Sequence, residues 1–175
     1  MLDLRRLKFV DEASVNLAMT RLYGRAPKGE RVMGSVPRNY GENITLLGAL
    51  GADGLQAVMT VEGATDADVF RSDVKPGLGP TLASGDIVVL DHRSAHKATG
   101  MQHALARRRA RRRYLPPYSP DVSPMERCWS KIKTALRAAK ARTRETLDTA
   151  VQKALETVTV IDARNWFRHC GYILN

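Results

Sequence analysis

Apolar residues in the first third of the chain fall into short runs that are typical of β-strands. Such runs lie at the end of Leu4–Val10, near Asn43–Leu50 and near Gln56–Glu62. The last two are separated by Gly51-Ala52-Asp53-Gly54, which predicts a hairpin turn between two paired strands. The segment from 16 to 41 is rich in glycine, proline and basic residues, and it predicts a long irregular crossing between the first two strands.

The most uniformly apolar run, Ile87–Leu90, predicts a central strand that is buried on both faces of a sheet. It is followed by Asp91 and His92. Open α/β sheets place their chemistry at the carboxyl ends of their strands, so Asp91 is a candidate functional residue. The residues from Ser94 to Lys97 are typical of a helix start, so Asp91 is equally well explained as a turn or N-cap residue. The local pattern leaves both interpretations open.

Helical patterns flank that strand and fill the last third of the chain. One helix is predicted from Thr65 or Asp66 towards Leu82, and a second ends near Arg109, before a short strand that ends near Leu115. Further apolar residues recur at helical spacing, namely Leu147, Val151, Leu155 and Val158. An apolar end that should pack back on the body comprises Trp166, Phe167, Tyr172 and Ile173. This order of elements indicates an α/β fold with a mixed sheet flanked by helices.

The stretch from Tyr114 to Leu136 predicts an extended segment that leads into a helix. Prolines fix φ in the extended part, and Ser123-Pro124 has the residue types of an N-cap and a first helical position. An apolar stripe then recurs at intervals of three and four residues, comprising Met125, Trp129, Ile132, Leu136 and Ala139. Glu126 lies beside this stripe in the first turn, where a buried helix would hold it at the edge of an open site.

Glu126 also has a purely structural explanation. Ser-x-x-Glu before an apolar run is a capping box, in which the glutamate accepts a hydrogen bond from the N-cap amide. Local sequence favours that explanation, and only the rest of the chain argues for a functional carboxylate.

Composition indicates a single domain over residues 1–175, without a membrane span or signal peptide. Cys128 and Cys170 are the only cysteines, so a structural zinc site is not expected and both thiols should be reduced. No Walker A loop, GxGxxG or GxSxG motif is present. We therefore expect a cytoplasmic protein that uses neither a nucleotide cofactor nor a serine nucleophile.

The positive charge is concentrated in one quarter of the chain. The net charge is +10, and between Met101 and Arg144 there are 13 basic and two acidic residues, which leaves 15 basic and 16 acidic residues elsewhere. No acid lies between Arg127 and Arg144, whereas a merely solvated helix face would interleave acids with bases. This concentration indicates a polyanionic partner, most simply a nucleic acid. The candidate DNA contacts are Arg107, Arg108, Arg109, Arg111, Arg112, Arg113, Arg127, Lys131 and Lys133.

Three carboxylates lie at the predicted ends of separate elements: Asp11 past the first apolar run, Asp91 after the central strand and Glu126 at a helix start. Oxygen ligands without cysteine or clustered histidine suit Mg²⁺ or Mn²⁺. Two such ions about 3.5–4 Å apart stabilise both the attacking and the leaving oxygen in phosphodiester displacement. An acidic metal site beside a basic flank is what such chemistry on DNA requires.

Three motifs resemble the DDE transposases, in the branch of the mariner superfamily found in bacterial insertion sequences. They are FVDEASVNLAMTRLYGRAPKGERV, GDIVVLDHRSAHK and YLPPYSPDVSPMERCWSKIK, and the 34 residues between Asp91 and Glu126 match the spacing of this branch. The resemblance implies an RNase H-like fold and metal-dependent cleavage at transposon ends, followed by transfer of the 3′-OH into target DNA. It also implies that Asp11, Asp91 and Glu126 are catalytic and bind two metal ions. It favours Asp11 over Glu12, which local chemistry does not separate, and Asp121 is better explained as a turn residue.

The chain departs from the resemblance at three points. His92 and Ser123 stand where asparagine is common, and only ten residues precede Asp11, so the usual N-terminal helix-turn-helix region is expected to be absent. We expect either the second frame of a two-frame element, fused to or partnered by that region, or a truncated relic. Members of this family cut DNA as paired assemblies, which implies a homodimer on DNA. The alternatives are an inactive fragment that only binds DNA and a nuclease or resolvase of the same fold.

Overall fold

The computed structural model describes residues 3–41, 43–62, 79–91 and 105–173. Its strands form one five-stranded sheet with the spatial order β3-β2-β1-β4-β5. The strands are β1 (Leu7–Val15), β2 (Ile44–Gly51), β3 (Gly54–Glu62), β4 (Ile87–Leu90) and β5 (Arg111–Tyr114). β1, β2 and β3 pair in antiparallel fashion, whereas β4 is parallel to both β1 and β5. The predicted mixed sheet is therefore confirmed.

Three α-helices follow the sheet along the chain. They are α1 (Pro124–Ala139), α2 (Arg144–Glu156) and α3 (Val160–His169). Short 3-10 turns are formed by Leu4–Arg6, Gly79–Thr81 and Pro120–Val122. The predicted helices over 66–82 and 94–109 lie largely outside the described residues, and so does His92. Among the described residues, no helix combines the length and the apolar character that a membrane crossing requires.

The first strand differs from its prediction at both ends. Residues from Leu4 form a 3-10 turn, and β1 continues past Val10 to Val15, which places Asp11 in the middle of the strand. Pairing with the apolar β2 sustains the strand through its polar residues, an effect that residue type alone does not reveal. The parallel neighbour β4 ends opposite Val10, so Asp11 still lies where that pairing stops.

Both faces of the sheet are covered by apolar residues. One cluster joins Phe9 of β1 to α1, α2 and α3, and a second, on the other face, includes Val10, Val88 and Leu90. All four residues of β4 are buried, as predicted for a central strand. The two-residue turn at Ala52 and Asp53 confirms the predicted hairpin.

The helices pack as their spacing predicts, apart from two residues at chain or helix ends. In α1 the buried stripe includes Cys128, while Ala139, in the last turn, is exposed. The aromatic end of the chain packs on Phe9, with ring-centroid distances of 5.4 Å to Phe167 and 5.2 Å to Tyr172. Ile173, predicted to join this cluster, is instead 68% exposed.

Candidate active site

The three predicted carboxylates line one cavity. Asp11 from β1, Asp91 after β4 and Glu126 from α1 border a space of about 580 Å³. The rest of the wall comprises residues 115–120 with Phe9, Val10, Val89 and Ser123. Segments that are 80 and 35 residues apart in the chain thus converge on a single site.

Segment 115–120 was predicted to be extended, but it turns at Pro117 and Tyr118, where φ of Tyr118 is 56°, and a 3-10 turn begins at Pro120. Proline restricts only its own φ and the residue before it, and Tyr118 is not followed by a proline.

Strand register brings the two aspartates to the same end of the β1–β4 ladder. Val10 and Leu90 are the last pair of the parallel β1–β4 ladder, and Asp11 and Asp91 are the next residue on each of the two segments. Side chains alternate along a strand, which puts Asp11 on the same face as Phe9 and Glu12 on the opposite face. This alternation separates Asp11 from Glu12, which the local sequence did not.

Glu126 does not form the capping box that its sequence context allowed. Ser123 is the N-cap of α1, as predicted, but its hydroxyl makes no capping hydrogen bond. The Ser123 N–H instead donates to the carbonyl oxygen of Pro120 at 3.1 Å. Glu126 is exposed beside buried Met125, so the carboxylate is held at the cavity by a fixed helix and is not consumed by capping.

Asp11 lies where burial and charge both oppose ionisation. Burial raises the pKa of the Asp11 carboxyl to about 6, and the carboxylates of Glu126 and Asp91 add to the increase. Hydrogen bonds from the Glu12 backbone and from the Trp129 indole act in the opposite direction. The site therefore concentrates negative charge that a bound cation would stabilise.

The ligand chemistry of the cavity fits a hard divalent cation, although the side chains are not drawn together as a ligand cluster. Within the described ranges, no three His, Cys, Asp or Glu side chains are grouped closely enough to hold a metal ion. Three like charges repel when no cation lies between them. The available donors are carboxylate oxygens, which Mg²⁺ and Mn²⁺ prefer.

A second cavity of about 660 Å³ adjoins the first between α1 and α3. The two cavities share Pro120, Ser123 and Glu126, so Glu126 lies at their junction. Arg127, which lines the second cavity, contacts the His169 imidazole through its guanidinium. No local pattern indicated this groove, because Arg127 and His169 on its two sides are 42 residues apart in the chain.

The predicted DNA contacts occupy two separate regions. Arg107, Arg108 and Arg109 are exposed just before β5. β5 itself is an edge strand of three arginines and Tyr114, and the Arg112 guanidinium lies 5.1 Å from the centre of the Tyr114 ring. Alternation along the strand places Arg111 and Arg113, both exposed, together on the face of the sheet that carries α1.

The second region lies on α1, and its basic residues differ in their surroundings. Lys131 donates to the Asp162 carboxylate at 2.6 Å and to the carbonyl oxygen of Thr157 at 2.7 Å. These bonds hold α1 to the end of α2 and the start of α3, so Lys131 has internal partners that its sequence context did not predict. Lys133 is half-buried and Arg127 is exposed on the same helix.

Trp129 belongs to the site, although its sequence pattern predicted only a core position. The indole N–H of Trp129 donates to Oδ2 of Asp11 at 3.1 Å. The apolar periodicity of α1 identified Trp129 as buried, which it is. A signal was present, because Trp129 is one helical turn from Glu126 and a buried indole N–H needs an acceptor.

Comparison with known proteins supports the same fold. The Mos1 transposase paired-end complex with left transposon end matches at a TM-score of 0.71 with 16% identity, covering 98% of this chain and 53% of that chain. The catalytic domain of Mos1 mariner transposase matches at a TM-score of 0.66 with 15% identity, covering 96% of this chain and 76% of that chain. No curated protein matches the sequence.

These likenesses show that the fold is RNase H-like, as predicted. This chain spans about half the length of the Mos1 chain in the paired-end complex. The sequence itself matches the model of a family described as DDE superfamily endonuclease over residues 6–148, a range that contains Asp11, Asp91 and Glu126. The chain therefore belongs to the DDE superfamily endonucleases.

Proposed function

We propose that this chain is the catalytic domain of a transposase that cleaves DNA at transposon ends and transfers the resulting 3′-OH into target DNA. The observation that carries the proposal is the convergence of Asp11, Asp91 and Glu126 on one cavity. The motifs around these residues resemble those of the mariner superfamily, in the branch of bacterial insertion sequences, and this resemblance supports the proposal.

Asp11, Asp91 and Glu126 would hold two divalent ions, Mg²⁺ or Mn²⁺. Asp11 lies in β1 and Asp91 directly follows the adjacent β4, which suits them to share both ions, and Glu126 on α1 would complete the second site. When bound, such ions stabilise the attacking and leaving oxygens of the phosphodiester. Mos1 paired-end complexes have been solved with Mg and with Mn, which supports this choice for a chain of the same fold.

DNA is the proposed partner, bound chiefly through its phosphates. The basic residues before and within β5 and those on α1 are the candidate contacts. Phosphate contacts position DNA without specifying its sequence, so this domain alone should bind with little sequence preference and a steep salt dependence. Recognition of the transposon ends would then depend on a helix-turn-helix region supplied as a fused frame or by a partner protein. Cleavage would require a homodimer on the DNA.

The proposal is tested by nicking of supercoiled plasmid DNA in Mn²⁺, comparing wild type with Glu126→Gln. Removing one metal-binding carboxylate should lower the nicking rate at least a hundredfold, because it removes several kcal/mol of transition-state stabilisation. Asp121→Asn is the matched control, since Asp121 lies five residues away in the neighbouring 3-10 turn. It should nick like wild type.

Equal nicking by wild type and Glu126→Gln would contradict the assignment of Glu126. DNA binding without nicking by the wild type would instead favour a protein that only binds DNA.

A further inference from the structure

Gly48 lies directly opposite Asp11 in the β1–β2 ladder. The ring of Trp129 occupies the space above it: a Cβ added to Gly48 would lie 2.7 Å from Cη2 and 3.0 Å from Cζ2 of Trp129. Trp129 is only 3% exposed, and its Nε1 is 3.1 Å from Oδ2 of Asp11. Gly48, Trp129 and Asp11 therefore form one contiguous unit beside the cavity.

The glycine is what allows the indole to reach the carboxylate. Side chains of directly paired residues project from the same face of a sheet, so any side chain at position 48 would stand beside Asp11 and beneath α1. The added Cβ would also lie 3.2 Å from Cε of Met125, so two side chains of α1 occupy the space above Gly48. An unsubstituted backbone at Gly48 thus provides the slot that Trp129 fills.

We propose that Trp129 is a positioning residue for Asp11, and that Gly48 makes this positioning sterically possible. The inference rests on the proposed metal-dependent function. An indole N–H is only a donor, so it holds Oδ2 as an acceptor and fixes the rotation of the carboxyl group. The indole donates to Oδ2 and not to Oδ1, so it leaves Oδ1 of Asp11 accessible to a cation in the cavity.

Packing alone does not account for this arrangement. A phenylalanine or leucine would fill an apolar slot without a polar atom, whereas the tryptophan brings an N–H that needs an acceptor when buried. The acceptor here is one of the three candidate metal ligands. Partners of this kind orient metal-binding carboxylates in many proteins, and their loss typically lowers metal affinity or activity about 10–100-fold.

The test compares Mn²⁺ binding by the DNA-free wild type, Trp129→Phe and Gly48→Ala, measured by titration calorimetry. Trp129→Phe keeps a buried ring and removes the N–H, so the Kd for Mn²⁺ should rise about 10–100-fold. Gly48→Ala keeps the indole but displaces it, and it should weaken Mn²⁺ binding in the same direction. Gly34→Ala is the matched control, because a Cβ at Gly34 meets nothing within 4 Å, and its Kd should equal that of wild type.

A second measurement uses the wild-type protein, in which no core residue is substituted. In wild-type protein labelled with ¹⁵N, the indole resonance of Trp129 should shift when Mg²⁺ is added, and the resonance of Trp166 should not. Assignment follows from the resonance lost in Trp129→Phe, or in Trp166→Phe if the first variant fails to fold.

Failure of the inference and failure of the proposed function give different results. If wild type binds Mn²⁺ and nicks DNA, while a folded Trp129→Phe does both equally well and the indole resonance stays fixed, Trp129 is a core residue only. If wild type neither binds Mn²⁺ nor nicks DNA, the metal-dependent function and the positioning role are both overturned.

Discussion

Among single residues, Asp11 shows most clearly how the position of a side chain changes its chemistry. Burial and two neighbouring acids raise the pKa of its carboxyl to about 6, whereas Glu12, the adjacent acid, projects from the other face of β1. Two consecutive acids of similar type therefore have different surroundings. The ionised form of Asp11 is costly in the metal-free fold, and a cation would remove much of that cost.

Replacing Asp11 with Asn should therefore stabilise the metal-free protein at pH 8. Asn keeps the size and the acceptor oxygen but carries no charge, so the free energy of unfolding should rise by about 1–3 kcal/mol. The pKa of Asp11 is raised in the fold, so wild type gains stability as the pH falls through about 6 towards 3.8. The advantage of Asp11→Asn, measured by urea unfolding, should shrink over that range.

The matched control is Glu12→Gln, which neutralises the neighbouring acid on the opposite face. Glu12→Gln should not raise the free energy of unfolding at pH 8. Added Mn²⁺ should stabilise wild type but not Asp11→Asn, because a ligand stabilises only the state that binds it. If the metal-free wild type were more stable than Asp11→Asn at pH 8, the ionised Asp11 carboxylate would not be destabilising.

At the scale of elements, the site depends on how α1 is fixed. Trp129 and its neighbours bury one side of α1 against the sheet, and Lys131 ties the helix to the end of α2 and the start of α3 through Thr157 and Asp162. Asp162 also accepts a hydrogen bond from the N-cap amide of Thr159. One carboxylate thus caps α3 and joins it to the helix that bears Glu126.

Lys131→Met should destabilise the protein by about 1 kcal/mol at pH 7, the upper end for a partly exposed ion pair. Hydrogen bonds from Lys131 and then from the Thr159 backbone lower the pKa of Asp162 to about 2. Stability from such a group is present above its unfolded pKa near 3.8 and is lost as the pH falls through about 2. The difference in unfolding free energy between wild type and Lys131→Met, measured by urea unfolding, should therefore decrease to near zero between pH 4 and pH 2.

Lys133→Met is the matched control on the same helix, because Lys133 forms no ion pair with any described residue. Its unfolding free energy should stay near that of wild type at every pH. Equal destabilisation by both substitutions would show that the loss comes from the helix surface and not from the bond to Asp162.

For the whole molecule, the separation of charge determines how DNA would approach. The excess positive charge lies between Met101 and Arg144, while the rest of the chain is close to neutral. β5 brings part of this charge to the sheet edge, and the residues after it form a wall of the acidic cavity. A basic edge that continues into a carboxylate site can hold a phosphate backbone next to the proposed metal ions.

Replacing both Arg111 and Arg113 with Gln should weaken DNA binding uniformly across sequences. Each lost phosphate contact should also reduce the slope of log affinity against log salt by about 0.9, so the double variant should flatten it by up to about 2. Fluorescence anisotropy with two unrelated duplexes at several salt concentrations measures both effects. Arg5→Gln, which removes an exposed arginine outside the basic segment, should leave the slope unchanged.

The sequence by itself determined the features that depend on near neighbours. The buried strand Ile87–Leu90, the turn at Ala52 and Asp53, and the start of α1 at Ser123-Pro124 follow from residue types within a few positions. The family also followed from the sequence, because its motifs are continuous stretches. Backbone preferences and apolar periodicity depend on nearby residues, so they can be recognised in the sequence without knowledge of the fold.

Only the tertiary structure decided which residues share the site. It placed Asp11 inside β1, released Glu126 from capping, joined Trp129 to Asp11 across Gly48 and paired Lys131 with Asp162. Each outcome depends on strand register or helix packing between segments far apart in the chain. Such contacts are set by how whole elements fit together, so no local pattern contains them.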